Sequence, residues 1–144
     1  MPAATRRTSG STAMDDYLEQ ILHLIEAKGY ARAIDISRNL GISQASVTNM
    51  LRRLDTEGLV KHEKYRGTIL TEEGHRIAGA IIERHETLTR FLRLFGLDED
   101  TIYRDVEGME HHVSRPTLEV IRAVADALEA DATLLEKVRK RCRP

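Results

Sequence analysis

Between Ala33 and Leu70 the spacing of apolar residues changes character, and this change limits the folds open to the chain more than any other feature. Ala33–Leu40 reads as a short helix. Gly41-Ile42 is a tight turn, and Ser43 stands where an N-cap belongs, ahead of a helix from Gln44 to about Glu57 that buries Val47, Met50, Leu51 and Leu54. Gly58 ends it. The helical period then gives way to alternation over Leu59–Lys64, a turn at Tyr65-Arg66-Gly67 and a returning strand at Thr68–Leu70. Helix, turn, capped helix and two-stranded ribbon, in that order, predict a winged helix-turn-helix, whose second helix enters the DNA major groove.

Helices flank this segment on both sides. Met14–Lys28 is amphipathic, with Asp15 as its expected cap, an apolar stripe of Leu18, Ile21, Leu22 and Ile25, and Gly29 as its stop. Met1–Ala13, rich in Ala, Thr, Ser and Gly, reads as a flexible tail. Downstream, Thr71-Glu72-Glu73 opens a long helix to about Leu94, with Ile77, Ile81, Leu88 and Leu92 on one side. Asp98 caps a helix to about Val113, with Ile102, Val106, Met109 and Val113 as its apolar stripe. Ser114-Arg115-Pro116 breaks the chain and starts another helix through Leu128, and Asp131 caps a last one from Ala132 to about Arg141. The expectation is a mainly α fold with a small two-stranded β wing.

Charge is distributed unevenly. The 144 residues carry a formal net charge of -1, which excludes a chain-wide nucleic-acid sponge. From Lys28 to Arg66, however, eight cations face four anions, a local excess of +4. The non-core face of the second helix of the pair presents Ser43, Gln44, Ser46, Thr48, Asn49, Arg52 and Arg53. Its Gln and Asn suit adenine edges, its hydroxyls suit base or phosphate, and its arginines suit phosphate. Lys61, Lys64 and Arg66 stand on the wing, where phosphate contact is expected. No apolar run of about 18 residues predicts a membrane span, and the N-terminus has no apolar core of a secretory signal. Cys142 is the only cysteine, which excludes an internal disulfide and a thiolate cluster and suits a reducing cytoplasm.

A second chemistry lies in the acids and imidazoles. Asp16 and Glu19 are three apart, on the face of the first helix opposite its apolar stripe. His85 falls among Ile81, Ile82, Leu88 and Leu92. In Val106-Glu107-Gly108-Met109-Glu110-His111-His112, the i, i+3, i+4 spacing of Glu107, Glu110 and His111 puts all three candidate ligands on one helical face. Carboxylates and histidines projecting from a bundle can build two-metal sites. Four carboxylates and two imidazoles without thiolate suit Mn²⁺ or Fe²⁺, and four negative charges balance two divalent ions.

The segments Met14-Asp15-Asp16-Tyr17-Leu18-Glu19-Gln20-Ile21, Glu63-Lys64-Tyr65-Arg66-Gly67, Arg84-His85-Glu86 and Asp105–His112 resemble those of the diphtheria-toxin-repressor family, in its manganese transport regulator branch. The likeness runs from Met14 to Arg141. It implies an N-terminal winged helix-turn-helix DNA-binding domain at residues 14–76, following a tail at residues 1–13, and a C-terminal helical metal-binding and dimerisation domain at residues 77–144. It also implies a cytoplasmic homodimeric repressor of manganese uptake genes that binds double-stranded operator DNA, with no enzymatic activity, no membrane association and no small organic ligand. By position it assigns Asp16, Glu19, His85, Glu107, Glu110 and His111 as metal ligands, the Glu107 carbonyl contributing as well. Two Mn²⁺ per subunit are implied, with Fe²⁺, Co²⁺, Zn²⁺ or Cd²⁺ as substitutes. Asp16 and Glu107 stand where iron-responsive relatives carry methionine and cysteine. Met109 and His112 are read as structural neighbours of the ligands.

Other readings stay open on the sequence: an iron-responsive repressor of the same family, a metal-independent winged-helix regulator, a binuclear metal hydrolase, or a metal buffer. A hydrolase is disfavoured because no additional nucleophile or phosphate-cradling glycine loop is present.

Overall fold

A computed structural model describes residues 10–142. The order of elements is α1 (Gly10–Lys28), α2 (Ala33–Leu40), α3 (Gln44–Thr56), β1 (Val60–Glu63), β2 (Gly67–Leu70), α4 (Glu72–Arg93), α5 (Glu99–Met109), α6 (Arg115–Ala130) and α7 (Ala132–Cys142). The chain divides into two compact units, Met1–Ile81 and Ile82–Pro144. The mainly helical fold with one two-stranded antiparallel wing is the expected one.

In the first unit, α2 and α3 pack on each other, with α1 against α2 and β2, and α3 against β1. Leu18, Ile21, Ile36, Val47 and Leu54 are fully buried. Each such side chain contributes about 1.5–3 kcal/mol relative to exposure. Ser43 caps α3, accepting a hydrogen bond from the Ser46 N–H at 3.2 Å, a contact worth about 1 kcal/mol. The wing pairs Val60 with Leu70 and Glu63 with Gly67. Its base is tied to the body by the Thr68 N–H, which donates to the Ala31 carbonyl at 2.8 Å. Thr71 then begins α4: its hydroxyl donates to the Gly58 carbonyl at 2.7 Å and accepts from the Gly74 N–H at 3.0 Å. Gly74 is buried so tightly that an added Cβ would overlap the Leu59 carbonyl oxygen.

In the second unit, Leu88 of α4, Ile102 and Val106 of α5 and Leu118 of α6 form a buried cluster, against which Leu92, Val113 and Ile121 pack. Asp98 caps α5 through the Thr101 N–H at 2.9 Å, Ser114 caps α6 through the Thr117 N–H at 3.4 Å, and Asp131 accepts from the Leu134 N–H at 2.9 Å. The Arg139 guanidinium donates to the Leu94 carbonyl at 2.5 Å, linking α7 to the end of α4.

Three expectations need correction. The first helix begins at Gly10, so residues 10–13 of the expected tail are helical, while residues 1–9 lie outside those described. Once a helix is nucleated, each added residue gains a hydrogen bond at little cost. Asp15 is consequently not a cap but a buried residue within α1. The helix expected to reach Val113 stops at Met109, with a turn at residues 110–112. Ser114 must be extended to cap α6, at φ -73 and ψ 159, so the chain leaves the helical path before it. Met109 thereby falls outside the apolar stripe and is 37% exposed.

Candidate metal centre and nucleic-acid interface

On α4 His85 stands about one turn before the core residue Leu88, and its imidazole is 30% exposed. Glu107 leaves the last turn of α5 half-buried, and Glu110 follows as the C-cap, buried at 3% exposure. Ligand atoms of His85, Glu107 and Glu110 all lie within 4.8 Å of one another. Nδ1 of His85 is 2.8 Å from Oε2 of Glu110, and Nε2 of His111 is 3.6 Å from Oε1 of the same carboxylate. One buried glutamate is therefore flanked by two imidazoles and a second acid.

Burial holds the Glu110 carboxyl above its ordinary pKa, and the nearby Glu107 charge pushes the same way, against the hydrogen bond and charge of His85 and the charge of His111. Two acids brought together out of water repel, and a cation between them would relieve that cost. The geometry fits such an ion. Hard divalent cations bind oxygen at about 2.0–2.6 Å, so two ligands of one ion stand up to about 4–5 Å apart. Imidazole nitrogen and carboxylate oxygen without sulfur suit a hard to borderline metal.

The turn that carries Glu110 and His111 is held by a residue that sequence reasoning passed over. Arg84 donates to the Glu110 backbone carbonyl at 3.0 Å. Consecutive residues of α4 thus hold one glutamate, Arg84 by its main chain and His85 by its side chain. The only signal in the sequence was that Arg84 adjoins His85, because its partner lies 26 positions away.

Of the six expected ligands, His85, Glu107, Glu110 and His111 are close together in the second unit. Asp16 and Glu19 belong to the first unit, where both are half-buried on α1 and Glu19 lies 3.6 Å from the His23 imidazole.

The ten expected DNA contacts lie in the first unit. Ser43, Gln44, Ser46, Thr48, Asn49, Arg52 and Arg53 on α3 and its cap, and Lys61, Lys64 and Arg66 on the wing, are all exposed. The other side of α3 buries Val47 and Leu54. Arg53 and Arg66 are lightly engaged by Glu57 at 3.9 Å and Glu63 at 3.6 Å. A cleft of about 600 Å³ between α3 and the wing is lined by Thr48, Arg52, Lys61, Lys64 and Tyr65 among others.

Residues 11–68 match the family described as iron dependent repressor, N-terminal DNA binding domain, and residues 71–135 match iron dependent repressor, metal binding and dimerisation domain. The HTH-type transcriptional regulator MntR of Geobacillus kaustophilus (strain HTA426) is 46% identical over 127 residues, covering 88% of this chain and 90% of that protein. The chain belongs to the iron-dependent repressor family, in its MntR branch. MntR of Bacillus subtilis (strain 168) is likewise 46% identical, over 119 residues, 83% of this chain and 84% of that protein. The solved structure of the manganese regulator SloR aligns at a TM-score of 0.70 and 27% identity, over 78% of this chain and 53% of SloR. The chain therefore spans about half the length of that solved relative. This iron-dependent repressor family is one of transcriptional regulators and not of enzymes. Among the described residues, no helix is long and apolar enough to cross a membrane.

Proposed function

We propose that this chain is a manganese-responsive, homodimeric, cytoplasmic repressor that binds operator DNA and controls manganese uptake genes. The observation that carries the metal half is the approach of His85, Glu107 and Glu110 to within 4.8 Å. The DNA half is supported by the exposure of every polar and basic residue assigned to reading on α3 and the wing. The manganese assignment is supported by the thiolate-free donor set and by similarity to SloR, a manganese regulator.

In this reading residues 14–76 bind DNA, and residues 77–144 hold metal and dimerise. His85, Glu107, Glu110 and His111 bind metal together with Asp16 and Glu19, two Mn²⁺ per subunit, with Fe²⁺, Co²⁺, Zn²⁺ or Cd²⁺ as substitutes. The metal supplies positive charge that offsets the carboxylates. His85 must offer the ion a nitrogen that carries no proton, so metal and proton compete for that atom. Arg84 keeps the Glu110 turn in place. Because Asp16 and Glu19 lie on the helix that opens the DNA-binding part, metal selects the DNA-competent state, and DNA tightens metal in return.

The test is a gel shift on DNA from upstream of the chain's own coding sequence, with Mn²⁺, Fe²⁺, Zn²⁺ or chelator. A shift that needs Mn²⁺ and disappears with chelator is expected. A shift unaffected by chelator identifies a metal-independent regulator, and one that needs Fe²⁺ alone identifies the iron-responsive alternative. Calorimetric titration of Mn²⁺ with and without that duplex should show affinities differing about 5- to 150-fold. Equal affinities would remove the switch.

A further inference from the structure

The wing ends in a residue that neither packing nor turn chemistry explains. Tyr65 has φ 77, the one positive φ outside glycine among the described residues. A left-handed backbone brings Cβ against the neighbouring carbonyl, so hairpin positions of this kind normally carry Gly, Asn or Asp. Tyr65 is also 85% exposed, more than any other large apolar or aromatic side chain among the described residues. An unfavourable backbone conformation therefore presents a nearly bare ring to solvent. Such outliers concentrate where a side chain has a task.

The surroundings indicate the task. The Lys64 ammonium stands 5.4 Å from the Tyr65 ring centroid, and Lys61 and Arg66 lie on the same hairpin. Tyr65 and Lys64 line the cleft that Thr48 and Arg52 of α3 line from the other side, so the wing tip and the proposed reading helix share one cavity. The hairpin's base cannot drift from the body. At Gly67, φ is 78 and an added Cβ would come 2.7 Å from the Ala31 carbonyl oxygen, the acceptor of the Thr68 N–H. The ring thus sits at the end of a fixed, positively charged arm beside the reading helix.

We propose that Tyr65 is a DNA-contacting residue, its ring packing on the sugars of the minor groove adjoining the major groove that α3 occupies. This rests on the DNA-binding reading above and adds a contact of different chemistry. Lys61, Lys64 and Arg66 meet phosphate through charge, whereas the ring contributes apolar surface. Minor-groove walls offer sugar faces to such surface, and contacts to sugars carry no sequence information directly. Tyr65 therefore raises affinity across operators and does not discriminate among them.

The experiment uses the full chain with Mn²⁺ and the upstream duplex, measuring affinity by fluorescence anisotropy over a range of salt. Asn tolerates the left-handed conformation and lacks a ring, so Tyr65→Asn should melt at or above the wild-type temperature yet bind about tenfold more weakly, the effect of losing partial burial of one ring. The slope of log affinity against log salt should not change, because no charge is removed. Lys64→Ala should flatten that slope. Tyr65→Phe should bind within about twofold of wild type, since it keeps the ring's apolar area and the hydroxyl carries no contact. Wild-type affinity in Tyr65→Asn overturns the proposal. A flattened salt slope in that variant also overturns it, since Tyr65 would then act only by placing Lys64. Equal weakness of Tyr65→Phe and Tyr65→Asn overturns the ring contact. Absence of any wild-type binding with Mn²⁺ removes the DNA-binding reading itself, and this inference with it.

Discussion

Nδ1 of His85 meets Oε2 of Glu110 at 2.8 Å, a contact between the long helix α4 and the residue that closes α5. It joins the carboxylate and imidazole donors of the proposed metal site, and it does so at a buried acid. Glu110→Ala should leave the metal-free fold intact by circular dichroism, because Arg84 holds the main chain at this position and not the side chain. The same change should abolish the rise in melting temperature on adding Mn²⁺ and abolish manganese-dependent DNA binding. A ligand at about 100 times its dissociation constant stabilises a fold by about 2.7 kcal/mol, so the lost shift is easily measured. A metal response persisting in the variant refutes the assignment of Glu110.

Arg84→Met should weaken Mn²⁺ binding about 10- to 100-fold, the range seen when a partner that orients a ligand is removed. The Glu110 carbonyl loses its donor in this variant, while every proposed ligand remains. Competition against a fluorescent chelator gives the affinity, and partial recovery in Arg84→Lys separates a lost hydrogen bond from general damage. Unchanged affinity would mean that the turn needs no support from α4.

The acid limb of stability should contain a contribution from Asp98. Its carboxylate is held below the ordinary range by the Thr101 hydroxyl and then by the Thr101 backbone N–H, a small desolvation opposing them. The folded-state pKa is depressed, so the stabilisation is present above the ordinary aspartate pKa and fades as pH falls through the lowered value. Asp98→Asn can still cap α5 but cannot titrate. Urea unfolding across the acid range should show the wild type ahead at neutral pH and the gap closing on acidification. A gap independent of pH would contradict this.

Gly74→Ala should destabilise the first unit by about 1–3 kcal/mol, because a methyl there meets the Leu59 carbonyl oxygen and neither backbone can yield freely. Chemical denaturation checks it, and a neutral outcome would mean that α4 shifts at its start.

Much of the fold was legible because its determinants are local. Ser43, Asp98, Ser114 and Asp131 each cap within three residues, so a short window reveals them. The two-residue period of β2 and the exposure of the polar face of α3 follow equally from near neighbours, whereas β1, with Lys61 and His62 both exposed, does not keep the expected alternation. The closeness of His85, Glu107, Glu110 and His111 was legible in which residues meet, but not in shape. Helical spacing suggested that one continuous face brings Glu107, Glu110 and His111 together. Instead α5 ends at Met109, and the last two stand on a turn braced by Arg84. That brace is non-local, and no periodicity encodes it. Tyr65 was hidden for a related reason: its residue type fits a loop, and only the backbone angle marks it as unusual.

The ladder of α5 gives out at Met109, and the amides of His112 and Val113 both fall back on that residue's carbonyl, at 2.9 and 3.1 Å. A stretch hung on a single acceptor exchanges its protons more readily than the helix before it. Ion capture by Glu110 and His111 would therefore register there as slowed deuterium uptake, a local gauge of occupancy that needs neither operator nor partner.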